Sequence, residues 1–260
     1  MSETYVTLTK DGPLGIITLN RPPANSYDIK FMRDLNAAIE GVAADEEIKA
    51  ALLVSASEKF FSGGADIKAF LANTPEDNAE MVTFGHQVLA KIAAIPKIFI
   101  AVINGHAMGG GLEIALACDL RFVGEGNFRL GLPEATLGLL PGNGGTQRFS
   151  RLIGASRALD MMLSGETVGP GKAVDLGIAN KIFPAESVLE EAKAYALKLA
   201  NGPTKALAFI KRCVHEGIEQ SLADGLALER ELVTELFASE DVREGLTAFV
   251  EKRKPEFKGR

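Results

Sequence analysis

Two glycine-rich runs, SGGA at 62–65 and NGHAMGGG at 104–111, each stand between a short apolar run and a stretch that fits a helix. That arrangement constrains the fold more than any other feature. Residues 50–54 and 98–103 are unbroken runs of Ala, Leu, Val, Ile and Phe, the pattern of a strand buried on both faces. A helix starts near Ala65, Asp66, Ile67 and Lys68, another spans 76–94 and ends before Pro96, and a third runs from 109 to 117 before a strand at 119–123. Strand, glycine turn and helix in repeated order predict an α/β fold with parallel strands. Loops at the carboxyl edge of such a sheet are where ligands bind, and both glycine runs fall there.

The flanking segments extend this reading. Residues 5–8 and 15–19 predict a hairpin around Asp11, Gly12 and Pro13. Ile29, Met32, Leu35, Ile39 and Val42 recur at helical spacing, with Asp28 placed to cap the helix. Residues 60–64 read as a loop. From 187 onward strand signals vanish, and 188–200, 203–215, 221–237 and 241–253 all carry helical spacing. The boundary near Asn201, Gly202 and Pro203 divides a core, 1–200, from a C-terminal helical region, 201–260.

With 260 residues, 47% apolar and 24% charged, the chain has enough apolar material for a large core. Its net charge of -6 and the lack of any long basic block argue against a nucleic-acid partner. Cys118 and Cys213 lie in apolar helical patterns and read as buried, inert thiols rather than a disulfide or metal site. The first residues, from Met1 to Val6, show no targeting leader, and no apolar run reaches the roughly 20 residues of a membrane span. The expectation is a soluble, cytoplasmic protein. His86, His106 and His215 are scattered without ligand spacing, so no metal is expected.

Chemistry enters with two glutamates. Glu113 closes the second glycine run, and Glu134 follows Pro133 in an extended turn ahead of the run PGNGGTQ at 141–147. Glycines before a helix let the backbone approach a ligand and leave N–H groups facing it, where partial positive charge favours an anion. Such N–H groups would hold an oxyanion while the two carboxylates move protons. Either glutamate alone is adequately explained as a charge complementing a helix start. The glycines at 142, 144 and 145 lack the Gly-Lys-Ser/Thr ending of a phosphate loop, and Ser62 lacks a nucleophile elbow.

The motifs FSGGADIK at 61–68, NGHAMGGGLE at 104–113, LPE at 132–134 and PGNGGTQ at 141–147 resemble those of the enoyl-CoA hydratase/isomerase, or crotonase, superfamily. The likeness runs from LNRP at 19–22 to EGLTAFVEK at 244–252. It implies a spiral of repeated ββα units, a C-terminal helical region that assembles trimers or hexamers, and acyl-CoA substrates. By position, it implies an oxyanion hole from the backbone N–H groups of Ala65 and Gly110. It also makes Glu113 the base that activates water and Glu134 the acid that protonates the α-carbon. Two glutamates fit hydration of a trans-2-enoyl-CoA to a 3-hydroxyacyl-CoA, a lyase reaction needing no cofactor beyond the CoA of the substrate. A double-bond isomerase or a hydratase for a specialised acyl group is the alternative.

The remaining positions stay open. Asp66 and Lys68 fit an N-cap and a solvated helix residue as well as they fit CoA contacts, and Ile67 fits a core role as well as a place in the CoA groove. Gly142 and Asn143 fall beside the implied acyl pocket. Many relatives carry small apolar residues at Asn143 and small aliphatic ones at Ser26 and Tyr27, so either place could put a polar group near the acyl chain. A few relatives bind RNA, which the acidic balance argues against, and a non-catalytic scaffold would have no need of both glutamates.

Overall fold

The computed structural model describes residues 3–260; Met1 and Ser2, part of the stretch read for a leader, lie outside the described residues. Strands β1 (Val6–Asp11) and β2 (Leu14–Leu19) form the expected antiparallel hairpin. Helix α1 (Ile29–Ala44) follows, its first turn capped by Asp28, whose carboxylate accepts the Phe31 N–H at 2.8 Å. Its apolar stripe, including Met32, Leu35, Ile39 and Val42, is buried.

The chain then repeats one unit three times. The first is β3 (Ala50–Ser55), β4 (Phe60–Ser62), α2 (Ile67–Ala72) and α3 (Pro75–Ala94). The second is β5 (Ile98–Ile103), β6 (His106–Met108) and α4 (Gly110–Ala117); the third is β7 (Leu120–Gly124), β8 (Leu130–Gly131), a 3-10 turn at Glu134–Leu137 and α5 (Gly145–Ile153). After these come α6 (Ala155–Ser164), β9 (Thr167–Val168), α7 (Pro170–Asp175), β10 (Lys181–Phe183) and the helices α8 (Val188–Ala200), α9 (Thr204–Gly217), α10 (Leu222–Leu236) and α11 (Glu240–Glu251).

The first strand of each unit joins one sheet, ordered β1-β2-β3-β5-β7-β10, and the second joins another, ordered β4-β6-β8-β9. Within each sheet the successive units pair in parallel. The result is a spiral of ββα turns.

Both faces of the central strands β3 and β5 are covered, which is why these are continuously apolar. Leu53, Phe99 and Ala101 pack with α1, α3 and α4, while Leu52, Ile100 and Val102 face Val188, Ala192 and Ala196 of α8. The segment read as a loop at 60–64 contains β4. Three residues are too few to show alternation, and β4 exists only through its pairing with His106 and Ala107 of β6.

Helix α9 is fastened to the core by a buried ion pair. The Lys211 ammonium donates to the carbonyls of Ile92 and Lys97 at 2.6 and 2.8 Å and to Asp119 at 2.9 Å. Burial pushes its pKa below the ordinary lysine value, and Asp119 opposes that shift. Cys118 is buried, and burial raises its thiol to about 12. Cys213 is only partly buried, contrary to expectation, because helical spacing does not say how completely a face is covered. Among the described residues no helix is long and apolar enough to cross a membrane.

Candidate active site

The carboxyl ends of β4, β6 and β8 deliver the predicted residues to one place. After β4, Gly64 turns the chain at φ +88, and Tyr27 binds this turn from outside: its N–H donates to the Gly64 carbonyl and its carbonyl accepts the Asp66 N–H, both at 2.9 Å. After β6, Gly109 takes φ +54 and α4 begins at Gly110. Among the described residues no acceptor takes the N–H of Ala65 or of Gly110. The turns touch: a Cβ on Gly64 would stand 3.3 Å from the Gly110 nitrogen and 2.8 Å from the Met108 carbonyl oxygen.

Glu113 lies on α4, 1% exposed. Its Oε1 accepts the backbone N–H of Asn143 at 2.7 Å and of Gly145 at 2.6 Å. These donors open α5, whose positive end favours the carboxylate. Burial raises the Glu113 pKa, and the two N–H groups pull against that rise.

Glu134 sits in a different environment. It opens a 3-10 turn instead of an extended one, because Pro133 takes ψ 17 and its carbonyl accepts both the backbone N–H and the hydroxyl of Thr136. Its Oε1 lies so near Gly109 that a Cβ there would come within 2.8 Å, and its Oε2 is buried without a partner among the described residues. Burial, with a lesser contribution from the Glu113 charge, raises the Glu134 pKa to about 7. Burial thus raises both carboxyl groups, but their partners differ: Glu113 Oε1 accepts two N–H groups that favour its ionised form, while Glu134 Oε2 has no such donor among the described residues.

The residues flanking this pair are differently engaged. Asp66 caps α2 through the N–H groups of Lys68 and Ala69 and meets Arg21 at 3.0 Å. Ile67 is 44% exposed and Lys68 is exposed on the rim. The Gly142 carbonyl takes the His86 Nε2–H at 2.6 Å, which sets the tautomer of that ring. The Asn143 side chain donates to the Tyr27 hydroxyl at 2.6 Å.

Tyr27 holds a more central place than its sequence suggests. It is 4% exposed, and its ring so covers Gly110 that a Cβ on that glycine would overlap the hydroxyl. The sequence offers Tyr27 as a polar departure near the acyl chain, next to the helix cap at Asp28, but nothing nearby in sequence says what the ring covers.

A family model for enoyl-CoA hydratase/isomerase matches residues 9–260. The 2,3-dehydroadipyl-CoA hydratase of Escherichia coli (strain K12) is 40% identical over 250 residues, spanning 94% of this chain and 95% of that protein. The short-chain-enoyl-CoA hydratase of Clostridium acetobutylicum is 35% identical over 262 residues, covering 100% of both. A solved enoyl-CoA hydratase structure from Geobacillus kaustophilus HTA426 superposes with a TM-score of 0.97 at 45% identity, over 100% of this chain and 98% of that one. The chain belongs to the enoyl-CoA hydratase/isomerase family, and its fold is that family's.

Proposed function

We propose that the protein hydrates trans-2-enoyl-CoA thioesters to 3-hydroxyacyl-CoA, with a short to medium acyl chain as the default substrate. The observation that carries this is the unequal pair of buried carboxyl groups beside two uncommitted backbone N–H groups. The N–H groups of Ala65 and Gly110 grip the thioester oxygen and stabilise the charge that builds there. Glu113 takes a proton from water as the oxygen attacks the β-carbon, and Glu134, entering as the acid, delivers its proton to the α-carbon. The only coenzyme in this scheme is the CoA of the substrate.

The names of the relatives support the reaction class, and the unequal hydrogen bonding of the two carboxyl groups supports the roles. Self-association through the C-terminal helices is part of the proposal. Val214, Leu222, Phe237, Phe249 and Val250 are 61–84% exposed there, a larger apolar display than isolated helices normally leave in water.

The test is loss of the conjugated enoyl-thioester absorbance with crotonoyl-CoA, run beside Glu113→Gln and Glu134→Gln. Rapid loss in the parent and a fall of roughly 10²- to 10⁴-fold in each variant is the expected result. A folded parent that binds CoA yet leaves every enoyl thioester unchanged would overturn it.

A further inference from the structure

We propose that the Tyr27 hydroxyl holds the water that is added to the acyl chain, and that Asn143 positions the hydroxyl for this. The inference rests on the hydratase reading above and adds to it a third group at the reacting centre. It starts from a buried phenol whose proton is uncommitted. The Tyr27 oxygen accepts from Asn143 Nδ2 at 2.6 Å, and among the described residues no acceptor takes the hydroxyl proton in return. Turning the Asn143 amide over would leave its NH₂ buried against Gly85. An orphaned N–H is rarer than an orphaned carbonyl oxygen, and the observed arrangement leaves only Oδ1 there.

Two contacts fix where this hydroxyl lies, and two more place the glutamates beside it. Asn143 grips Glu113 with its backbone N–H and Tyr27 with its side chain, so base and phenol are held by one residue. The hydroxyl lies against Gly110, and the Glu134 carboxyl lies against Gly109, the adjoining residue. Both glutamates are near enough for their charges to oppose ionisation of Tyr27, which burial already suppresses. The phenol therefore remains a donor and never acts as the base.

A reacting water needs such a donor. Buried waters make about three hydrogen bonds, and an apolar acyl chain offers none. One water proton goes to Glu113 as the oxygen bonds to the β-carbon; the double-bond electrons move toward the thioester oxygen, and the Glu134 proton reaches the α-carbon. The second water proton stays on the new hydroxyl, and the lone pair not used in the new bond accepts from Tyr27. Tyr27 keeps its proton throughout, so the balance of the reaction is unchanged.

The test compares Tyr27→Phe, which keeps the ring over Gly110, with the parent in two reactions. One is hydration of crotonoyl-CoA; the other is exchange of the α-protons of butanoyl-CoA with D₂O, followed by NMR, which uses the oxyanion cradle and a carboxylate but adds no water. The expected result is a hydration kcat lower by roughly 10- to 100-fold, the worth of one hydrogen bond to a group gaining charge, with KM and α-exchange nearly unchanged. Asn143→Ala, which keeps the backbone N–H on Glu113, is expected to shift the same ratio less, and it decides the matter should Tyr27→Phe fail to fold. Parent-like hydration in both variants, or equal loss of hydration and exchange, overturns the assignment. A parent that exchanges α-protons but hydrates no enoyl thioester sinks the hydratase reading and this inference together; hydration by the parent with no effect in the variants sinks only this one.

Discussion

Glu113 Oε1 and the Gly145 N–H meet at 2.6 Å, so close that a methyl group on Gly145 would come within 2.8 Å of the same oxygen. That methyl would also stand 2.8 Å from the Pro141 Cβ and 3.0 Å from Leu132 Cδ1, so Glu113 or the loop must move. Gly145→Ala is expected to lower kcat/KM for an enoyl thioester by about 10²-fold, the effect of a displacement near 1 Å. It should also cost about 1–3 kcal/mol of stability through overpacking. Steady-state kinetics and thermal denaturation together check this. A variant with the parent's rate and the parent's Tm would show that the loop yields without disturbing the base.

Glu134 should impose a pH limit on hydration. Its carboxyl, raised by burial to about 7 in the free protein, must enter the reaction protonated, so kcat/KM should decline as pH rises above about 7. Stability has its own signature. The folded state holds this proton more tightly than an unfolded chain with an ordinary value of 4.5, so the stabilisation is complete below 4.5 and is lost as pH rises through about 7. Glu134→Gln should flatten that decline. Urea midpoints measured across about pH 4–8 decide the point, and parallel curves for parent and variant would count against it.

Lys211 is expected to matter for stability and not for chemistry. Removing its ammonium leaves the Asp119 carboxylate in a buried position with the Phe99 N–H and His215 as remaining partners. Lys211→Ala should destabilise the protein by roughly 3–5 kcal/mol, as the loss of one member of a buried ion pair does. Denaturant unfolding measures it, with activity per folded molecule as the control. A change under 1 kcal/mol, well below the range for such pairs, would show that water reaches Asp119 freely.

Much of the larger sheet and its helices was legible in the sequence. Ile98–Ile103 is the strand its unbroken apolar run predicts, and the cap at Asp28 is where the helical spacing places it. The second sheet was not, because β4, β6 and β8 have only two or three residues each and owe their existence to partners far along the chain. The turn at Glu134 was misread for a related reason: proline at 133 favours no single outcome until Thr136 folds back on its carbonyl. The glycines and glutamates of the site stood out because chemistry restricts residue type. Tyr27 stood out only as a polar departure near the acyl chain; its contact with Gly110 was not legible, since that depends on where two distant turns meet.

Residue 143 serves two partners through separate parts of itself. Its main-chain N–H supports Glu113, and that support survives exchange to any residue except proline. Its side chain, by contrast, donates to the Tyr27 hydroxyl. Exchange of that side chain therefore frees the phenol while the base keeps its place, so catalysis fails at this position by degrees and not all at once.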